Sequence, residues 1–145
     1  MGKKSTPPPT APVLPPRYSV RLFRSSFTTL LSVAVAAQHG LWDCAALAAL
    51  VLLTSLNYWR DPRRGWRRTV DMTMVFAGMS YHILCCALCD DPLLQLAYAV
   101  LVANVGFCYL QARKTADQDL SSAWHCGVHV MGNVANVLLY VGLSL

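Results

Sequence analysis

The chain alternates long apolar runs with short polar segments, and this pattern predicts a bundle of membrane-spanning helices. Four runs have the roughly 20 residues that a helix needs to cross a hydrocarbon core about 30 Å thick. They cover residues 41–59, 69–89, 92–112 and 121–143, and a weaker fifth run covers 22–38. The predicted fold class is therefore all-α: a small polytopic membrane helical bundle with five transmembrane helices, or four as the alternative.

The positions of the cations decide between five spans and four. All 12 Lys and Arg residues lie in three segments, 3–24, 60–68 and 113–114. With five spans these segments share one side of the membrane, which satisfies the rule that cytoplasmic loops are enriched in Lys and Arg. The sequence then predicts a cytosolic N-terminus and a C-terminus on the opposite side. With four spans, either because the short first run lies in the membrane interface or because one long helix runs through 38–40, the cations of the tail would lie outside.

Composition agrees with an integral, multi-pass membrane protein. Of 145 residues, 55% are hydrophobic and 13% are charged, which is too apolar for a soluble domain of this size. The net charge of +5 is explained by attraction to anionic headgroups, about 1 kcal/mol per basic residue, so no nucleic-acid partner is predicted. The predicted contacts with anionic lipid are Arg60, Arg63, Arg64, Arg67 and Arg68.

Residues 1–17 form a basic, Pro-rich tail that we predict to be disordered or in polyproline II conformation, whereas 18–145 form the bundle. Gly2 begins a pattern for N-terminal myristoylation, with Lys3 and Lys4 as a basic second signal. Segment 12–17 fits a proline-rich ligand for an aromatic groove. A solubilising tail and an organelle transit peptide are the alternative interpretations.

The turn before the run 92–112 carries the sequence Asp90-Asp91-Pro92. Carboxylates at a helix start interact favourably with the helix dipole, and proline fits the first helical position. We therefore predict a tight turn between the third and fourth spans. Pro62 and Gly65 similarly break the chain between the second and third spans.

The last predicted span carries a stripe of polar residues spaced by three or four positions. Ser122, His125, His129, Asn133 and Asn136 share one helix face. Lipid cannot satisfy these groups, so this face is predicted to turn toward other helices or water. We predict a polar seam between spans two to five. Its members on the other spans are Asn57, His82 and Asn104.

The spacing His125-x3-His129 can supply two metal ligands from one helix face, with Asp71 as the third ligand or as a catalytic base. Here the chain locally resembles the ceramidase and adipoQ-receptor class of intramembrane zinc hydrolases, which use a His-x3-His on the final helix with a further His, a Ser and an Asp. The resemblance implies a zinc site at this pair. The chain departs from the family pattern at Gly78, where serine would precede His82, and it lacks the seven-span scaffold.

The same polar residues also have a structural interpretation. The two histidines of the last span would donate interhelical hydrogen bonds to Asn57, Asn104 or Asp71, each contributing about 0.6 to 2 kcal/mol. Asp71 would form an ion pair with Arg67 or Arg68, which precede it by four and three residues at a helix start.

Three of the six cysteines, Cys85, Cys86 and Cys89, lie on one predicted helix. Cys44 is expected at a similar depth on another span. A disulfide between Cys44 and Cys89 is one interpretation if that side of the membrane is oxidising. The other interpretation is that the cysteines pack as small hydrophobic residues.

Taken together, these patterns predict a non-enzymatic scaffold or accessory membrane subunit that needs no cofactor. The first alternative is a metal-dependent intramembrane lipid hydrolase that holds zinc or iron at His125 and His129. The second is a proton or small-solute carrier in which the polar seam forms a ladder. The expected partners are the lipid bilayer with its anionic headgroups and either other membrane subunits or further copies of the chain.

Overall fold

The computed structural model describes residues 12–144, and the regular elements in that range are six α-helices. The all-α prediction is confirmed. Three helical runs are long and apolar enough to cross a membrane: Pro16–Gln38, Trp66–Ala87 and Pro92–Lys114. The helices are α1 (Pro16–Ser26), α2 (Thr29–Gln38), α3 (Trp42–Trp59), α4 (Trp66–Ala87), α5 (Pro92–Lys114) and α6 (Gln118–Gly142).

Helices α1 and α2 form one run of 23 residues with an irregular turn between them. In that turn Leu30 N donates to Phe27 O at 3.0 Å, a bond to the third preceding residue rather than the fourth. The Thr28 hydroxyl also donates to Ser25 O at 2.7 Å. Hydroxyls that bond to nearby carbonyls compete with the regular helical pattern and bend helices. Because α1 begins at Pro16, the helix includes the last two residues of the predicted tail.

The chain reverses direction between α2 and α3. Gly40 has φ of +72°, a left-handed conformation that glycine adopts without the steric cost of a Cβ. Leu41 N donates to Ala36 O at 2.9 Å and Gly40 N donates to Ala37 O at 3.1 Å, the paired bonds of a Schellman ending. The alternative of one long helix through 38–40 is therefore wrong.

Aspartates begin the last two helices. The Asp91 carboxylate accepts from Leu93 N at 2.9 Å and Leu94 N at 3.2 Å, and Pro92 is the first residue of α5. The predicted tight turn before this helix is confirmed. At the start of α6, Asp117 accepts from Leu120 N at 2.8 Å, a cap that the sequence analysis did not single out. Each cap satisfies backbone donors that have no partner inside the helix.

The helices are arranged so that α5 packs on α6, α6 packs on α1 and α2, these pack on α3, and α3 packs on α4. Helices α4 and α5 contact each other little, although a tight turn joins them. We call the end of the bundle that holds the start of α1 and the turns 60–65 and 115–117 the basic end, and the other the opposite end.

The bundle is packed most closely near the opposite end. There small side chains let the helices approach one another, as is common where membrane helices pack. The buried cluster comprises Ala36, Cys44, Ala45, Cys86, Leu94, Tyr98, Ala135, Leu139 and Tyr140. A second, smaller cluster at the basic end consists of Leu22, Tyr58 and Trp59. The candidate functional site lies among the same helices.

Candidate functional site

A cavity of about 430 Å³ lies inside the bundle, within the range of roughly 300–1,000 Å³ that is typical of ligand pockets. One face of α4 and one face of α5 line it, together with the polar stripe of α6. Because residues spaced by three, four or seven share a helix face, each of these helices presents a continuous row. The charged and polar lining residues are Ser26, Thr29, Ser55, Arg68, Asp71, His82, Arg113, His125, His129, Asn133 and Asn136, and three tyrosines, Tyr58, Tyr98 and Tyr109, also line the cavity.

Asn133 connects α6 to the first helical run through both ends of its amide. Its Oδ1 accepts from Ser32 Oγ at 2.5 Å, and its Nδ2 donates to Thr28 Oγ1 at 3.1 Å and to Thr29 Oγ1 at 3.2 Å. The same nitrogen donates to His129 O at 2.7 Å within α6. Asn133 is buried, so its hydrogen-bonding capacity is met by protein groups rather than by water.

His129 and His125 lie next to each other on the cavity wall. His129 Nδ1 and Ser25 Oγ share a hydrogen bond at 2.7 Å, which again joins α6 to the first helical run. The His125 and His129 rings are nearly perpendicular, at 86°, with 5.2 Å between their centroids. The His125 ring also makes an edge-to-face contact with Trp59, with 5.1 Å between the centroids. The pair thus has aromatic and hydroxyl neighbours.

His82 is buried and also reaches α6, although far from the other two histidines. Its Nε2 and the Tyr140 hydroxyl share a hydrogen bond at 2.8 Å. The sequence analysis included His82 in the seam but did not identify Tyr140 as its partner. Tyr140 lies three helical turns beyond His129, or about 16 Å along the axis at 1.5 Å per residue.

The Asp71 carboxylate is buried at the α3–α4 contact. Its Oδ1 accepts from Ser55 Oγ at 2.6 Å, and Arg68 is close enough to act on its charge. Arg67 forms an ion pair with Asp61 at 3.7 Å instead. The predicted ion pair of Asp71 is therefore wrong: Arg67 pairs with Asp61 in the turn before α4, and Arg68 does not reach ion-pair distance of Asp71.

A charged cluster joins α1 to α6 at the basic end. Arg21 donates to Asp119 Oδ1 at 2.9 Å and to Ser122 Oγ at 2.9 Å, and Arg17 donates to the same carboxylate oxygen at 3.0 Å. The Arg17 guanidinium hydrogen-bonds to Asp119 and, with Arg21, holds the pKa of that carboxyl below its ordinary value. Ser122 of the predicted stripe thus belongs to this cluster.

Two predicted members of the seam do not take part in it. Asn104 is exposed, and its Nδ2 donates to Val100 O of its own helix at 2.9 Å. Asn57 is half-buried and lies outside the cavity lining. The seam is not confined to spans two to five. His82 of α4 does bond to Tyr140 of α6, but the main partners of the α6 stripe lie on the first helical run. Asn136 is half-buried on the cavity wall, as its place in the stripe predicts.

The three candidate metal ligands do not converge. Within residues 12–144, no three His, Cys, Asp or Glu side chains are grouped closely enough to hold a metal ion. Ser55 holds Asp71 at the α3–α4 contact, whereas His125 and His129 contact Trp59 and Ser25. The set of His125, His129 and Asp71 therefore does not fit a three-ligand zinc or iron site, and no catalytic step follows from it.

The six cysteines are free thiols, and Cys44, Cys86 and Cys108 are buried. The structure thus contains no Cys44–Cys89 disulfide within the described range. Cys44 and Cys86 belong to the packed cluster near the opposite end. This placement matches the interpretation of buried cysteine as a small hydrophobic residue.

The basic segment before α4 lies at the basic end as a mainly exposed group of arginines. Arg60, Arg63, Arg64 and Arg68 are exposed, and Arg63 pairs with Asp61 at 2.9 Å. The chain just before α1 lies against this segment, because Val13 N donates to Pro62 O at 2.7 Å. The proline-rich motif 12–17 thus contacts the bundle. The myristoylation candidate Gly2 lies outside the described residues.

The sequence analysis missed the hydroxyl groups that receive the polar stripe. Ser25, Thr28, Thr29 and Ser32 repeat at three- to four-residue spacing on the first helical run, the same signal that identified the stripe on α6. Tyr140 continues the spacing of the α6 stripe, four residues after Asn136, and could have been found in the same way, whereas Ser55 carries no such pattern. We find that no protein-family model, no curated protein and no solved structure matches the chain.

Proposed function

We propose that the protein is a five-span integral membrane protein without a reaction of its own, serving as a scaffold or accessory subunit with its basic end in the cytosol. One observation carries the non-enzymatic part. The polar side chains with catalytic potential bond across helix contacts: His129 to Ser25, His82 to Tyr140 and Asp71 to Ser55. Groups used in this way hold membrane helices together, because lipid offers them no other partner.

The five-span topology follows from the alternation of the helices and from charge. In the proposal, the run Pro16–Gln38 is the first span and α3 to α6 are the other four, so consecutive helices cross in opposite directions. The segments that carry Lys and Arg then all lie at the basic end. This distribution satisfies the positive-inside rule with the basic end in the cytosol and the C-terminus on the other side.

Glycosylation mapping tests this topology. The chain has no Asn-x-Ser/Thr acceptor sequence. An acceptor added in an extension after the C-terminus therefore reports the side of the membrane on which that terminus lies, and a second variant with the acceptor before the N-terminus reports the side of the other. In microsomes we expect glycosylation of the C-terminal extension only. Modification of both extensions or of the N-terminal one alone would contradict the proposed topology.

The accessory role rests on surfaces left for partners. The arginines Arg60, Arg63, Arg64, Arg67 and Arg68 are placed to meet anionic headgroups in the cytosolic leaflet, and large apolar side chains cover the outside of α4 and α5. Leu84, Leu93 and Leu96 are among the exposed ones. Such a surface suits lipid, a second copy of the chain or another membrane subunit.

Crosslinking in native membranes followed by affinity purification tests this role. We expect the chain to be recovered in a defined complex, either with another protein or with further copies of itself. Metal analysis of the purified protein should give much less than one zinc or iron ion per chain. A purified monomer with a measurable lipid turnover would contradict the proposal. A content of one zinc or iron ion per chain that is lost in both His125→Ala and His129→Ala would also contradict the proposal. That result would favour the metal-dependent hydrolase instead.

A further inference from the structure

The two ends of the cavity differ in polarity, because charged and apolar lining residues are distributed unevenly along α4 and α5. Arg68 on α4 and Arg113 on α5 lie at its basic end. Beyond them the two helices contribute mainly apolar side chains. Those side chains are Met72, Val75, Met79, Val102 and Val105. From Arg68 to His82 the cavity wall on α4 extends about 21 Å at 1.5 Å per residue.

The wall between α4 and α5 is also where the bundle is least closed. The tight turn at Asp91 joins the two helices at the opposite end, yet they contact each other little along their length. Met72 and Val75 line the cavity and are nevertheless exposed, 42% and 39% of their surface respectively. The cavity is therefore accessible from the side, between α4 and α5, at the level of apolar residues.

The two arginines at this opening carry charge that other groups compensate only in part. The ion pairs at the basic end engage Arg17, Arg21, Arg63 and Arg67, and Arg68 and Arg113 belong to none of them. Arg113 lies over the Tyr109 ring at 5.9 Å. Arg68 lies near the Tyr58 hydroxyl and the Asp71 carboxylate. Two guanidinium groups against one carboxylate leave a net positive charge at the opening.

We propose that this cavity binds one anionic phospholipid from the bilayer, with its phosphate group at Arg68 and Arg113 and one acyl chain between α4 and α5. Guanidinium groups bind phosphate oxygens through paired hydrogen bonds. Arg113 follows directly after the predicted span 92–112, so both arginines stand at headgroup level while the valines and methionines face hydrocarbon. The volume suits one chain, and the second chain of the lipid stays in the surrounding bilayer. The proposal goes beyond the scaffold role and does not depend on it.

Native mass spectrometry of the full chain in a mild detergent tests the binding. Delipidated protein is titrated with dioctanoyl phosphatidylglycerol, with dioctanoyl phosphatidylcholine and with glycerol phosphate, which lacks acyl chains. We expect one saturable molecule of the anionic lipid per chain, held at least tenfold more tightly than the zwitterionic lipid or the free phosphate ester. Equal binding of the two lipids would overturn the anion site, and equal binding of glycerol phosphate would overturn the lipid assignment.

Matched variants locate the site. Arg68→Gln and Arg113→Gln should each weaken anionic lipid binding about tenfold, the effect of losing a charged hydrogen bond. Arg64→Gln removes an equivalent exposed charge outside the cavity and should have little effect. If Arg64→Gln weakens binding as much as Arg113→Gln, the lipid is held by general surface charge and the proposal fails.

A second pair of variants tests the acyl-chain part without changing charge. Val105→Trp introduces a large side chain at the cavity wall, and Leu110→Trp introduces the same side chain at an exposed position of the same helix. We expect lipid stoichiometry to fall in the first variant and to stay at one in the second. Unchanged stoichiometry in a folded Val105→Trp would overturn the placement of the chain. Should Val105→Trp fail to fold, the arginine variants and their control decide the proposal.

Discussion

Replacing Asn133 with alanine should lower the free energy of unfolding by about 2 kcal/mol. The amide makes two bonds to the first helical run: its Oδ1 accepts from Ser32 at 2.5 Å, and one Nδ2 hydrogen is shared between Thr28 at 3.1 Å and Thr29 at 3.2 Å. Interhelical hydrogen bonds in membrane proteins average about 0.6 kcal/mol each and reach about 1.7, so two buried bonds sum to between about 1.2 and 3.4 kcal/mol, a range centred near 2 kcal/mol. The second Nδ2 hydrogen donates to His129 O within α6 and does not join helices.

Relaxation limits this loss. Once the amide is removed, the buried Ser32 hydroxyl can turn to the carbonyl of Thr28, four residues before it, as serines in membrane helices do. The hydroxyl then regains a partner without restoring a contact between helices. The measured change should therefore remain near 2 kcal/mol and below the roughly 3 kcal/mol that an unsatisfied buried group can cost.

Reversible unfolding in bicelles or in mixed detergent measures this quantity, and the chain offers a matched control. Asn104→Ala removes the same side chain from an exposed position, where its amide bonds only to its own helix. We expect it to change stability by less than about 0.5 kcal/mol. A change in Asn133→Ala no larger than that in Asn104→Ala would refute the assigned role of Asn133.

A double-mutant cycle separates the bond between Asn133 and Ser32 from the general loss of packing. Combining Asn133→Ala with Ser32→Ala should give a coupling energy of about 0.6 to 1.7 kcal/mol. The single variant Ser32→Ala should cost less than Asn133→Ala, because Thr28 and Thr29 still hold the amide. A coupling energy of zero would show that the contact at 2.5 Å does not contribute to the association of the helices.

Other measurements probe the packing, the thiols and the charged cluster at the basic end. Gly142→Ala should lower the free energy of unfolding by about 1 kcal/mol, because the new Cβ would lie 2.5 Å from the Leu94 side chain. Gly106→Ala places its Cβ in open space and should be neutral or stabilising. Equal effects of the two variants in the same unfolding assay would contradict this prediction. Since all six cysteines are free, intact mass after denaturing alkylation without reductant should show six additions, and four would indicate a disulfide. The pKa of Asp119 is depressed in the folded state by Arg17 and Arg21, so the stability it contributes is present above the unfolded pKa of about 3.9 and is lost as pH falls through the lower folded pKa. Melting curves of the native chain and of Asp119→Asn should differ at neutral pH and converge in acid, and a constant difference would argue against this linkage.

The sequence predicted the helices well where apolar length and turn residues agree. The start of α5 at Pro92, with its aspartate cap, followed from Asp90-Asp91-Pro92 because capping is a local interaction. The reversal at Gly40 does not follow from the residue type, since a glycine alone does not distinguish a turn from a continuing helix. What decides it is the pair of bonds from Gly40 and Leu41 back to α2, and these depend on a backbone conformation that no side-chain pattern specifies.

The sequence predicted the face of α6 that forms the candidate site but not the residues that bond to it. The polar stripe of α6 followed from periodicity, and its half-buried member His129 and its buried member Asn133 do bond across helices. Their partners did not follow, because periodicity states which residues share a face and not which helix that face meets. Asn104 shows the same limit: it shares a polar repeat with Cys108 and Gln111 on α5, but this face turns away from the cavity residues Val102 and Val105, and Asn104 is exposed and bonded to Val100.

The weak apolar character of the first run and its role as the partner of α6 have one cause. A buried asparagine and a half-buried histidine in a membrane bundle require donors and acceptors on a facing helix, and hydroxyls supply them at low cost, because serine and threonine can otherwise bond to their own backbone. The hydroxyls that lower the hydropathy of 22–38, such as Ser25 and Ser32, are therefore the groups that make it a suitable neighbour for His129 and Asn133. In a bundle with one strongly polar helix, the least apolar of the remaining spans is the first place to look for the facing helix.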